Sequence, residues 1–474
     1  MDNAIAFMTA TEMVARFRAG ELSPVTVVEE ALERIARFEP TLNAFQLVDA
    51  ESARAAARAA EARWAEGAPQ GPLDGVPVTI KDLVATKGWP TLQGSLTVDP
   101  AGPWTEDAPV VARLREAGAV LLGKTTTPEF GWKGITDSPL AGVTRNPWNP
   151  KHSPGGSSGG AAAALAAGIG GLAHGNDGGG SIRIPASYSG LFGIKPTFGR
   201  VPHAPNTGAY ATLASNGPLT RSVADAALML TVIAQPDARD WYAAAHDGRD
   251  YRVGLDEGMR GTRLGLGLDL GGATPDDEIA AIVEDAVTAF AERGATVERV
   301  GPLIDPLRPR FEDYWLAGFA YRLGDMSPDR RDRVDPGLRA LAERGAAVGL
   351  DAYYRAVEAR AELGVTMNRF HERFDLLITP TMPTAAPRAD VVYHSPEFDR
   401  WTHAVPYTVP FNLTGQPAAS IPCGLTRAGL PVGLQIIGPR FHDAAVLRAA
   451  RAFERTLAWP NPHPGLLASL AAIG

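Results

Sequence analysis

Residues 153–183 read SPGGSSGGAAAALAAGIGGLAHGNDGGGSIR. Two glycine-serine clusters, at 155–160 and 178–181, flank an alanine-rich segment and a short apolar run. Glycine costs backbone entropy and weakens helices and strands, so runs of it mark turns or places where something approaches the main chain closely. The pattern predicts a turn feeding an alanine-rich helix, then a strand, then a glycine loop that caps the next helix. In that arrangement Ser157 and Ser181 face one another across a strand end.

Working outward, residues 76–82 (VPVTIKD) form a β-branched run that predicts a strand delivering Lys81 at its end. Residues 108–125 (APVVARLREAGAVLLGKT) give helix, glycine turn and strand. The alternation returns late, with an amphipathic helix at 276–293, strands at 295–300, 375–383 and 430–438, and a helix at 444–458. This is the α/β order of a layered sheet protein. Residues 10–70 read as helical, with Ser23 and Pro24 as cap and first-turn pair. Residues 302–375 are richer in Arg, Asp and Tyr, are helical in pattern, and are expected to form a cap region within a single domain spanning 1–474. No repeat or low-complexity linker divides the chain.

Composition narrows the classes. The 474 residues are 45% hydrophobic with a net charge of −8, as in a globular protein with a sizeable core. Lysine and arginine are scattered, which predicts neither a nucleic-acid footprint nor a membrane patch. The single cysteine, Cys423, excludes an intrachain disulfide, and the cytoplasm is the expected compartment. The first twenty residues lack a secretory pattern, and the apolar run at 161–173 is shorter than the ~20 residues a bilayer span needs.

Residues 118–125 match the pattern of a phosphate-binding loop, Gly, four residues, then Gly-Lys-Thr. The four intervening residues are Ala and three strand-forming apolar side chains, so the segment is expected to be a buried strand. The nine histidines are dispersed, and no zinc or other metal site is predicted. His152 and His174 read as surface or core histidines, and no serine stands in a Gly-x-Ser-x-Gly elbow. What remains is Lys81 with two serines. A lysine desolvated among glycine and apolar residues loses its charge more readily and can serve as a base. It would draw a proton from one serine, which draws one from the other. Glycine amides before Ser181 would then face the oxyanion formed on an attacked carbonyl.

This combination resembles the amidase signature family, whose catalytic apparatus is a Lys, cis-Ser, Ser triad. VPVTIKD carries the family's lysine, GGSSGG its bridging serine, and the GGS before Ile-Arg its nucleophile. TRNPWNP, GLFGIKPTFGRVP, GPLTRSVADAALML, DLLITPTMP and FNLTGQPAASIPCG look like family landmarks, so the resemblance covers nearly the whole chain. It implies an α/β fold with one large mixed, twisted sheet covered by helices on both faces. It implies Lys81 as general base, Ser157 as proton shuttle in a cis peptide, and Ser181 as acyl-forming nucleophile. Gly178, Gly179, Gly180 and Ser181 would supply oxyanion-hole amides, with Asp177 and Arg183 a structural ion pair bracing the loop. Gly178 departs from the threonine common in the family, and Ser187 and Ser189 from its small apolar or cysteine residues. No metal or organic cofactor is required.

The resemblance makes the chain an amidase acting on small, apolar or aryl acyl amides. Residues 126–140 align with the family's substrate-lining segment, which places Gly131 and Trp132 at the acyl group; Trp132 as mere core packing is the alternative. Carbamates and cyclic or oligomeric amides share the carbonyl chemistry. A second reading is the glutaminase subunit of a transfer-RNA-dependent amidotransferase, against which residues 203–217 lack the expected glutamine-handling sequence. The expected partner is a small-molecule amide, and a homodimer is left open.

Overall fold

The computed structural model describes residues 2–205, 212–304, 308–391, 404–457 and 459–474, with only the backbone of 308–310. An eleven-stranded sheet dominates it. From edge to edge the strands are Phe45–Val48, Val120–Thr125, Pro77–Lys81, Leu172–Asp177, Ser215–Thr220, Phe192–Lys195, Ala418–Leu425, Pro431–Ile437, Leu376–Pro380, Arg263–Leu266 and Thr296–Arg299. Parallel pairs join Val120–Thr125 to Pro77–Lys81 and Pro77–Lys81 to Leu172–Asp177, and also link the last three strands, whereas the middle of the sheet is antiparallel.

Burial explains why these strands read as apolar runs rather than alternating patterns. Every residue of Pro77–Lys81, Val120–Thr125, Leu376–Pro380 and Pro431–Ile437 is buried. Side chains alternate between faces along a strand. Ile378, Ile421 and Ile436 accordingly join one apolar cluster, with Val223, Val283, Phe290 and Phe453 from the helices Val223–Ile233, Asp277–Glu292 and Asp443–Glu454. Leu377 and Ile437, adjacent along the chain to Ile378 and Ile436, join another, with Trp315, Leu338 and Met367. Helices therefore cover both faces. The outermost strand, Thr296–Arg299, is exposed and carries Glu298 and Arg299, charges that suit an unpaired sheet edge.

Within 10–70 lie the helices Ala10–Ala19, Pro24–Leu42 and Ala50–Ala65, with two corrections: the last helix ends at Ala65, short of residue 70, and the edge strand Phe45–Val48 interrupts the series. Four residues are too few to show a period. Ser23 caps its helix as expected, accepting from Val25 N at 3.0 Å. The phosphate-loop look-alike is the buried strand Val120–Thr125, whose Lys124 Nζ donates to Val84 O at 2.6 Å and Thr91 Oγ1 at 2.8 Å. Within 302–375 lie helices Arg308–Gly324, Pro328–Arg331, Pro336–Ala346 and Leu350–Arg373; residues 305–307 are outside the described residues. The C-terminal helix expected at 444–458 runs Asp443–Glu454, and residue 458 is likewise outside the described residues. Among the described residues no helix is long and apolar enough to cross a membrane.

Candidate active site

Lys81 ends a strand parallel to Leu172–Asp177, with Val78 beside Leu172 and Thr79 beside Ala173, so both strands present their carboxyl ends on the same side. That is where open α/β sheets bind ligands. Ser157 lies in the turn before the buried helix Gly159–Ala166 and follows a cis Gly156–Ser157 peptide bond. Lys81 Nζ is 2.8 Å from Ser157 Oγ and 3.0 Å from Asn176 O. The lysine is 0% exposed, and burial pushes its pKa down to about 7 against the opposing pull of Asp177. A neutral amine has one lone pair. With one N–H given to the Asn176 carbonyl, that lone pair is available to the Ser157 hydroxyl.

Asp177 organises the loop that carries Ser181. Its carboxylate accepts from Gly180 N at 2.7 Å, Ile182 N at 3.1 Å and, in a two-pronged ion pair, from Arg183 Nη2 and Nε, each at 3.0 Å. Burial alone would raise its pKa, but Arg183 and the Asn412 amide hold it well below the usual carboxylate range. Arg183 reaches further, to Asn412 Oδ1 at 2.6 Å, Gln435 Oε1 at 2.8 Å and Thr408 O at 2.9 Å. Asn412 Nδ2 returns to Asp177 O, and Thr408 Oγ1 binds Gly179 O. The loop is thus clamped from the C-terminal part of the chain.

The four-amide oxyanion cradle is corrected by this clamp, because the Gly180 N–H is taken by the Asp177 carboxylate. Among the described residues the N–H groups of Gly178, Gly179 and Ser181 donate to no protein acceptor. Ser181 is 9% exposed, and Ser158 N donates to its carbonyl at 3.2 Å, which brings the two serine segments together. The Ser181 hydroxyl makes no hydrogen bond among the described residues, to Ser157 or any other group.

Gly131 adjoins this centre. A Cβ built on it would lie 3.1 Å from Ser157 Oγ and 2.8 Å from Leu83 Cδ1. Trp132 is 1% exposed and belongs to the apolar cluster that holds Trp315 and Phe319, the core packing that stood as the alternative to an acyl-lining role. Phe130 and Trp104 line a cavity of about 320 Å³ that reaches Asn176. Phe130 and Gly131 both have positive φ, 52° and 72°, which turns the chain sharply between the two aromatic residues. His152 Nδ1 meets Ala386 O at 2.7 Å, and His174 is buried against Asn216, so both play the structural parts expected. Ser187 accepts from Gly433 N at 3.0 Å, away from the reacting groups. Among the described residues no three His, Cys, Asp or Glu side chains gather as metal ligands would.

A family model described as Amidase matches residues 26–447. The chain belongs to the amidase signature family. It is an amidase, a hydrolase of amide carbon–nitrogen bonds. An acylamidase of Rhodococcus erythropolis is 37% identical over 470 residues, 97% of each chain. One subunit of the glutamyl-tRNA(Gln) amidotransferase of Myxococcus xanthus is 38% identical over 477 residues, 94% of this amidase and 97% of the relative. Among solved structures, a bacterial aryl acylamidase of the amidase signature enzymes superposes with a TM-score of 0.89 at 32% identity, covering 98% of both chains.

Asn176, Asn412, Thr408 and Gln435 were not anticipated as parts of the site. FNLTGQP and LPVGLQIIG stood in the sequence as landmark and strand, but nothing local said that their amides converge on Arg183.

Proposed function

We propose that Ser181 is the nucleophile, Ser157 the proton shuttle and Lys81 the general base of amide hydrolysis through an acyl-enzyme. As Ser181 Oγ bonds the carbonyl carbon, its proton passes to Ser157 and the Ser157 proton to neutral Lys81. The carbonyl oxygen, now negative, faces the amides of Gly178, Gly179 and Ser181; one such donor is typically worth about 3–4 kcal/mol in the barrier. The proton returns through Ser157 to the amide nitrogen, the C–N bond breaks and the amine leaves. Water then attacks the Ser181 ester by the same relay and releases the acid. Catalytic hydrogen bonds are commonly loose without substrate, and the Ser157–Ser181 bond is taken to close on binding.

The observation that carries this reading is the 2.8 Å contact between a fully buried lysine and Ser157. The substrates are small amides with apolar or aryl groups, as the acylamidase relatives suggest, handled in the cytoplasm by one domain in which residues 302–375 cover the site. A homodimer fits the reading and is checked by light scattering. A fluorophosphonate should label Ser181 stoichiometrically and abolish amide hydrolysis. Release of amine by Ser181→Ala at the wild-type single-turnover rate would overturn the assignment.

The Myxococcus relative favours a second reading, a glutaminase that works with partner subunits. The segment 203–217, where glutamine-handling residues would be expected, includes 206–211, which lie outside the described residues. The isolated chain hydrolysing anilides but not glutamine supports the first reading; the reverse supports the second.

A further inference from the structure

The outermost support of the loop that carries Ser181 stands on a helix far from it in sequence. Arg360, on the helix Leu350–Arg373, is partly buried. Each of its three guanidinium nitrogens meets a protein oxygen. Nε donates to Leu413 O at 2.6 Å, Nη1 to Thr212 Oγ1 at 2.6 Å and Nη2 to Thr212 O at 2.9 Å. No carboxylate pairs with it among the described residues. With no counter-charge to hold, the side chain supplies geometry. Its rigid planar fork grips two segments at once, which the single nitrogen of a lysine cannot do.

The two segments gripped are those that meet at Asn412. Leu413 ends the five-residue helix Val409–Leu413, which is too short to hold its shape unaided. Its terminal carbonyl has no partner within the helix, and Arg360 satisfies it. Asn412, on the same turn, donates from Nδ2 to Asp177 O and Asp177 Oδ1, each at 2.9 Å, and its Oδ1 accepts from Arg183. The same Nδ2 lies 3.2 Å from Leu213 O, one residue beyond the Thr212 that Arg360 holds. From the helix Arg308–Gly324, Tyr314 Oη meets Thr212 Oγ1 at 2.9 Å. Arg360 thus ties the helical segment to the clamp on Asp177.

From this convergence we infer that Arg360 is a positioning residue for amide hydrolysis. It holds the Asn412 amide against Asp177, and so keeps the loop that carries Ser181, with its free amides, in its reacting geometry. The inference rests on the proposed role of Ser181 as nucleophile. Arg360 itself contributes nothing to the lining of the cavity that reaches Asn176. It acts through Asn412.

The test compares wild type with Arg360→Met, Arg360→Lys, Asn412→Ala and the doubles of Asn412→Ala with each Arg360 variant. The substrate is 4-nitroacetanilide, whose release of 4-nitroaniline is read by absorbance. The end point of fluorophosphonate labelling counts active protein, and the labelling rate reads how well Ser181 is presented. Arg360→Met should lower kcat about 100-fold with KM within about twofold of wild type. The labelling rate should fall in parallel. Arg360→Lys keeps the charge but loses the fork, and its kcat should stay within about threefold of that of Arg360→Met. Once Asn412 is alanine, either Arg360 variant should lower kcat by less than about threefold further. A kcat that stays at the wild-type value, a loss confined to KM, or losses that multiply in the double variants overturn the positioning role while leaving Ser181 as nucleophile. If Arg360→Met gives no folded protein, Arg360→Lys and its double decide by the same criteria. Wild-type hydrolysis without labelling of Ser181 overturns the nucleophile, and this inference with it.

Discussion

A lysine with no exposed surface carries its function and its cost in one atom. An ordinary lysine titrates near 10.5, whereas burial holds Lys81 at about 7. Between those values the unfolded chain binds a proton that the folded chain does not, so the lysine's contribution to stability rises with pH across that window. Below about 7 the folded enzyme takes up the proton, and the proposed general base is lost. The kcat/KM profile should therefore fall through an acid limb near pH 7 that steady-state assays across pH 5–9 will locate. Lys81→Met should reduce kcat by about 10⁴-fold or more, yet raise unfolding free energy by about 1 kcal/mol in urea titrations at pH 7. The gain is modest because Ser157 and Asn176 O lose their partner. Lys81 was legible in the sequence because a strand of β-branched residues ending in a lone lysine is a local pattern. Asn176 was not, because it acts through its carbonyl, which every residue has.

At the scale of elements, the nucleophile loop is shaped by what its glycines exclude. Gly180 has φ of +129°, and a Cβ there would stand 2.4 Å from Thr408 Oγ1 and 2.7 Å from Ile184 Cδ1. Gly180→Ala should cost at least about 2 kcal/mol of stability from overpacking and strain. It should also depress kcat more than KM, since the loop carries the free amides; thermal melts and steady-state kinetics read the two effects. The glycine loop was readable as a cradle, but which N–H groups stay free was not. That depends on the Asp177 carboxylate folding back onto Gly180. The strand Ser215–Thr220 shows the opposite failure. SNGPLT has the composition of a turn, yet all six residues are buried in mid-sheet, between Leu172–Asp177 and Phe192–Lys195. Its neighbours, rather than its propensity, make it a strand.

Across the whole molecule, the helical segment is fastened to the active-site segment through buried charge. Asp335 caps helix Pro336–Ala346 through Gly337 N and pairs with Lys133 Nζ at 3.3 Å, while its own N–H donates to Glu129 Oε2 at 2.6 Å. Glu129 and Lys133 bracket Gly131 in sequence. Asp335→Ala should remove a cap worth about 1 kcal/mol, speed hydrogen exchange in that helix, and lower kcat/KM severalfold by loosening Gly131 against Ser157. Unchanged exchange in the helix would separate it from the site. The helical character of 302–375 was legible from pattern, but its attachment was not, because Asp335 lies some 200 residues along the chain from Glu129 and Lys133. The mixed sheet was legible only through family resemblance. Short strands such as Arg263–Leu266 and Phe192–Lys195 acquire their order from partners far along the chain. The Asp177–Arg183 clamp bears also on how the protein is made. A ribosome emits Lys81, Ser157 and Ser181 early, and N-terminal segments generally begin to fold first. Arg183, buried with no solvent to satisfy it, must nevertheless wait for Asn412 and Gln435. A nascent chain therefore holds all three proposed reactive side chains long before it holds an active site, which waits for the segment that carries Asn412 and Gln435.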